Sequence, residues 1–227
     1  MLTARNWDLD RTADDAHGRA LAAAAAALDA ARLTGDVLEI ACGTGWWTRR
    51  LVRFARNVTA LDAAPEMLDL HRRRVPAPNV RRIEADVFAW QPDRAYDGVF
   101  FAFWLSHVPP DRFGEFWGKV DDALAPEGRV FFVDETEWGC PRGHEVELGD
   151  ERGTTLRWVE DGRGFRIVKR YHRPAELEAA LADLGWAVDV RLAGERIYHA
   201  LGRRAQFRGQ ARNCSAIPPS RPGARST

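Results

Sequence analysis

A chain of 227 residues with 45% hydrophobic side chains can bury the core of one ordinary domain, which excludes wholesale disorder. Lys plus Arg is 33 and Asp plus Glu is 33, so the basic field of a dedicated nucleic-acid binder is missing. Cys42, Cys140 and Cys214 are odd in number and far apart, which argues against a disulfide framework and for a reducing compartment.

The first fifteen residues are charged throughout and carry no apolar core, so no signal peptide is expected. Asp14 to Arg32 reads as a helix, with Thr12 as N-cap and Asp15 three residues on. Its alanines favour helix, and Leu21, Leu28 and Leu33 supply an apolar stripe far too short to span a bilayer. The expected location is therefore the cytoplasm. Only Lys119 and Lys169 are lysine, a bias toward Arg and Ala that resembles GC-rich bacterial coding sequence.

From residue 36 the chain alternates. Strands are expected at 36–41, 57–62, 79–86, 97–104 and 128–135, with helices at 45–54, 65–74 and 111–124 between them. The run 97–104 is apolar throughout, as in a strand covered on both faces. This rhythm means an α/β fold: a Rossmann-like, mostly parallel sheet with helices on both faces. Residues 136–153 read as a loop, and 155–172 as an extra β-hairpin turning at Asp161-Gly162 near the active site. A helix from Pro174 to Leu184 and two antiparallel strands around Ala193-Gly194 complete seven strands, the last antiparallel. The division is thus 1–33, an arm and helix covering the cofactor site; 34–204, the catalytic domain with its hairpin insertion at 136–172; and 205–227, a disordered tail.

The chemistry concentrates in VLEIACGTGWW and VTALD. Glu39 ends a buried strand, and Gly43 and Gly45 turn the chain where a ligand approaches the backbone. Asp62, 17 residues after Gly45, ends the second strand, where a carboxylate holds a ribose diol. Together they indicate an adenosine-type cofactor. A dinucleotide site wants a third glycine, yet that register holds Thr48 behind two indoles. Glu39 repels a phosphate and attracts an ammonium. The balance moves from NAD to S-adenosylmethionine.

In these residues the chain resembles the class I S-adenosylmethionine-dependent methyltransferases, of the small-molecule type similar to the ubiquinone and menaquinone biosynthesis enzymes. The resemblance covers about residues 34–204. The glycine motif matches Glu39 to Gly45, with Ala41 at the first glycine. It implies cofactor contacts from Glu39, Gly43, Thr44 and Gly45, a ribose contact from Asp62, and adenine contacts from Met67, Asp86 and Val87. The fourth-strand motif matches Tyr96 to His107, and LAPEGRVFFVDE matches the fifth, with Glu127 where a glycine usually stands. S-adenosylhomocysteine is then the product, and the partner is a small-molecule methyl acceptor, with neither nucleic acid nor membrane involved.

His107 follows the fourth strand in a loop stiffened by Pro109-Pro110, and is the candidate general base or substrate contact. Trp46, Trp47, Phe103 and Trp104 either pack a helix on the sheet or wall the site, Phe103 on the cofactor side and Trp104 on the substrate side. Arg170 and Tyr171, with His172, are further substrate candidates. Cys42 reads as a small residue in a tight turn. No metal is expected: Cys140, His144 and Glu147 lack a fourth ligand. Two other readings stand beside the first, an NAD-type oxidoreductase and a non-catalytic cofactor-binding module. The oxidoreductase predicts a third glycine and a Tyr/Lys or Cys/His pair, and neither is found. A nucleic-acid methyltransferase would need an NPPY-like tetrapeptide after strand four, also missing.

Overall fold

The computed structural model describes residues 16–137, 145–148, 153–158 and 162–205. Thr12, Trp7, Cys140, His144 and the tail from 206 lie outside the described residues. Among the described residues, ten strands and five α-helices follow in order. They are α1 (Ala16–Ala31), β1 (Gly35–Ile40), α2 (Thr48–Leu51), β2 (Ala55–Asp62), α3 (Pro65–Arg74), β3 (Val80–Glu84) and β4 (Tyr96–Ala102). Then come α4 (Phe113–Ala123), β5 (Leu124–Glu135), β6 (Glu145–Glu147), β7 (Thr154–Trp158), β8 (Gly164–Val168), α5 (Pro174–Asp183), β9 (Trp186–Leu192) and β10 (Ile197–Arg204).

Seven strands form one sheet in the order β3-β2-β1-β4-β5-β10-β9, with β10 antiparallel to both neighbours. The seven strands, their parallel core and the antiparallel last strand are as the alternation predicts. Adjacent residues of the apolar strands go to opposite layers. Phe101 and Phe132 stack at 5.0 Å under Phe116 and Trp117 of α4, with Leu177 and Leu181 of α5 in the same layer. Phe100 and Phe131 stack on the other face, in a layer with Leu28 of α1, Leu51 of α2 and Leu68 of α3. Both faces are therefore covered, and each buried aromatic contributes about 1.5–3 kcal/mol. No described helix is long and apolar enough to cross a membrane.

Several boundaries depart from expectation. The helix expected at 45–54 is helical only over Thr48–Leu51. Gly45 has φ +88°, outside helical geometry, and the helix begins only after Trp47, its N-cap. Strand β4 stops at Ala102 because Phe103 takes φ 55°. Strand β5 begins at Leu124, since residues 125–128 form an irregularity in its pairing with β4. The expected hairpin within 155–172 is present as β7-β8, and β6, from the segment read as loop, extends it into a three-stranded antiparallel sheet. The turn at Gly162, φ +81°, is where the pattern put it.

Strand order reverses between β1 and β4. In doubly wound sheets the crevice for ligands opens at the C-terminal ends of the strands at such a switch point. Glu39, Ala41 and Phe103 all sit there.

Candidate functional site

The glycine turn leaves β1 under strain. Ala41 has φ 53°, and Gly43 and Gly45 have φ +53° and +88°. Phe103, at the end of the adjacent strand, shares this left-handed geometry. Non-glycine residues with such angles cluster at ligand sites. A Cβ on Gly43 would meet nothing within 4 Å, so the backbone there borders open space.

Asp62 ties that turn to β2. Its Oδ2 accepts a hydrogen bond from Gly43 N–H at 2.8 Å, and its Oδ1 accepts from Ala64 N–H at 2.9 Å. The carboxylate is half-buried, with its remaining lone pairs beside the glycine turn. Glu39 is buried behind the same turn, 1% exposed. Its Oε2 accepts from the Thr48 hydroxyl at 2.5 Å. Burial pushes its carboxyl up to about 8; the Thr48 bond opposes this and the charge of Asp62 adds to it. Cys42 packs in the turn, and burial raises its thiol far above the usual range, as a packing role requires.

Thr44 is buried in the turn, and Met67 is half-buried in the first turn of α3. Asp86 is exposed and caps a turn, its Oδ1 accepting from Phe88 N–H at 2.9 Å. Val87 is in the core. The four aromatics do not form one wall. Trp46, Trp47 and Phe103 pack as one group, with Trp47 5.4 Å from Phe100. Trp104 packs instead against Phe88 and Phe116 in the other layer.

His107 is held by the small sheet. Its Nδ1 lies 2.7 Å from the Val168 carbonyl, so Nδ1 carries the proton and Nε2 the lone pair. Burial, then the charge of Lys169, lowers its pKa to about 4. The segment after β8 runs along the loop after β4. Arg170 N–H donates to the Ser106 carbonyl at 2.8 Å. Lys169, buried, donates to Ser106 Oγ at 3.0 Å and pairs with Glu135 at 2.9 Å. Asp134, also buried, accepts from Ser106 N–H. The Arg170 side chain is exposed. Tyr171 and His172 line a cavity of about 580 Å³ with Thr136, Arg173 and Leu192, beside the end of β5.

Sequence reading missed Thr48, His71 and Arg82. His71 Nε2 lies 2.8 Å from Thr48 Oγ1, and Arg82 Nε donates to His71 Nδ1 at 2.9 Å. The available signal was a histidine one turn after Met67, on the buried face of α3. Lys169 was also missed, and its rarity in an Arg-rich chain was the hint.

These groups predict how stability varies with pH. His71, His107 and His172 sit at about 4 in the fold against 6.5 ordinarily. The unfolded chain therefore binds more protons between those values, and their contribution is lost as pH falls from 6.5 toward 4. Glu39 works oppositely: native at about 8 against 4.5, its contribution is lost as pH rises between them. Asp134, raised by burial, acts in the sense of Glu39. The ligand-free protein is expected to melt highest near pH 6.5, with the alkaline decline flattened in Glu39→Gln. Scanning calorimetry that finds Tm still climbing through pH 8 would contradict it.

Comparison with known proteins gives a consistent outcome. Residues 37–128 match the model of a methyltransferase domain. The chain is 31% identical over 195 residues to the malonyl-[acyl-carrier protein] O-methyltransferase of Halorhodospira halophila, covering 82% of this chain and 60% of that one. It is 30% identical over 158 residues to the ubiquinone biosynthesis O-methyltransferase of Xylella fastidiosa, covering 66% and 59%. The chain spans about three tenths to three fifths of the length of the curated relatives it matches. A solved structure described as a DhpI–SAH complex is 42% identical, with TM-score 0.74, over 89% of this chain and 93% of that one.

Proposed function

Because the chain belongs to the S-adenosylmethionine-dependent methyltransferase family, we propose that it transfers a methyl group from S-adenosylmethionine to an O, N or C atom of a small molecule. The carrying observation is the pair of carboxylates around one glycine turn. We assign Asp62, at the end of β2, to the ribose diol, and buried Glu39, behind the turn, to the ammonium of the amino-acid end. Open space at Gly43 supports a ligand against the backbone there. Met67, Asp86 and Val87 are assigned to the adenine, Thr44, Gly43 and Gly45 to the methionine end, and Phe103 to the strained rim between β1 and β4. A related structure described as a DhpI–SAM–HEP complex, 42% identical, supports the same cofactor.

The sulfonium supplies an activated methyl group, so the chain mainly has to position the acceptor; good positioning supplies roughly 7–11 kcal/mol of such barriers. We assign that task to the loop after β4 and the β6-β7-β8 sheet fastened to it. Trp104, Arg170 and Tyr171 are the proposed substrate contacts. His107, neutral and with its lone pair on Nε2, is assigned to accept a hydrogen bond from an acceptor O–H or N–H. With a pKa of about 4 it orients the acceptor more than it removes the proton.

The test is titration calorimetry with S-adenosylmethionine and with NADH, followed by a metabolite screen with methyl-labelled donor. Binding of NADH alone would overturn the proposal. His107→Ala is then expected to lower turnover about tenfold, the scale of one lost hydrogen bond, with the KM for S-adenosylmethionine unchanged. Wild-type turnover in that variant would leave His107 as a packing residue.

A further inference from the structure

We propose that Arg82, His71 and Thr48 form a one-way hydrogen-bond relay that positions Glu39 to hold the ammonium end of the cofactor; this rests on the reading of Glu39 as a cofactor contact. The links come from three separate elements, β3, α3 and α2. A guanidinium has only donors. Arg82 Nε donates to His71 Nδ1 at 2.9 Å, so Nδ1 must carry the lone pair and Nε2 the proton. That proton points at Thr48 Oγ1, 2.8 Å away. The hydroxyl, having accepted, turns its own hydrogen to Glu39 Oε2 at 2.5 Å. Every donor faces the same way, from the guanidinium to the carboxylate, so their polarisations add.

The surroundings make this arrangement consequential. His71 and Thr48 are fully buried and Glu39 nearly so. A carboxylate in such a place is costly unless donors and a cation meet it. Burial of Glu39 and the neighbouring charge of Asp62 both favour the neutral acid, and the Thr48 bond favours the anion. The relay thus satisfies Oε2 and leaves Oε1 for a cation brought by the ligand. Burial and the nearby charge of Arg82 keep His71 neutral, as a relay with one proton on the ring requires. Arg82 is itself fixed by donating to the Val80 and Val75 carbonyls. These three are positioning residues, since none is asked to touch the reacting atoms.

His71 also packs against the glycine turn, because a Cβ on Gly45 would lie 3.0 Å from its Cδ2. Thr48 is therefore the cleaner probe. Thr48→Val keeps the volume and removes the hydroxyl, while Thr48→Ser keeps the hydroxyl. Each variant is titrated with S-adenosylmethionine and with 5′-methylthioadenosine, which has the adenosine part but no ammonium. Thr48→Val should bind S-adenosylmethionine about tenfold more weakly and 5′-methylthioadenosine as the wild type does. Thr48→Ser should match the wild type on both. Equal losses on both ligands, or no loss on either, would overturn the relay while leaving the cofactor reading intact. A wild type that binds neither ligand would overturn the cofactor reading, and the relay's purpose with it. Nitrogen-15 spectra of the imidazoles give an independent readout that needs no variant. The Nε2–H tautomer is expected for His71 at neutral pH, and the Nδ1–H tautomer would reverse the direction of the relay and reject it.

Discussion

Asp62→Ala is expected to weaken S-adenosylmethionine binding about a hundredfold, within the range of hydrogen bonds to a charged group. Two losses combine. The proposed contact with the ribose hydroxyls is removed. The substitution also releases Gly43 N–H and Ala64 N–H, which the carboxylate holds at 2.8 and 2.9 Å, so the turn that should cradle the ligand loses its tie to β2. The two contributions separate in Asp62→Asn, which keeps one carbonyl oxygen for a backbone donor but offers the ribose a weaker acceptor. Calorimetry should rank the affinities wild type, then Asn, then Ala. Stability should fall as well, by about 1–3 kcal/mol, because two part-buried backbone N–H groups lose their acceptor. An alanine variant that binds within about threefold of the wild type, less than one net hydrogen bond is worth, would remove Asp62 from the site.

Asp62 and the glycine turn were legible in the sequence because their signal is local. A buried strand, a turn of glycines and a strand-end acid each depend on nearby residues, and the parallel sheet then brings them together. The relay behind Glu39 was not legible. His71 is 23 residues from Thr48 and 11 from Arg82, and only the packing of α3 against the turn makes them neighbours. The adjacent aromatics left packing and a site wall both open. Phe103 and Trp104 are consecutive, yet they enter different layers of the fold, so closeness in sequence did not give one wall. Likewise β6 was hidden in a Gly-rich, charged segment, where a three-residue strand leaves no alternation to detect.

Gly45→Ala and Gly43→Ala should separate the stability of the turn from its function. The two glycines look alike in sequence, and both have positive φ, +88° and +53°. Their surroundings differ. A Cβ on Gly45 would fall 2.6 Å from Val75 Cγ2 and 3.0 Å from His71 Cδ2. Left-handed geometry costs an alanine about 1–2 kcal/mol, and the overlap adds about 1–3 more because a buried valine and imidazole have little room to move. A total of about 2–5 kcal/mol lowers Tm by roughly 4–20 °C in a domain of this size. Pushing His71 away would also disturb its bond to Thr48, so cofactor affinity should fall along with stability. Gly43→Ala meets no neighbouring atom and should cost only the conformational part, about 1–2 kcal/mol. Its methyl group would instead project into the space assigned to the ligand. Its loss should therefore appear mainly in binding, by at least tenfold, a scale set by filling a close-packed contact. Melting curves and calorimetric titrations on the same two samples would show whether stability and affinity divide in this way. A Gly43→Ala variant that binds S-adenosylmethionine normally would place the cofactor away from the turn.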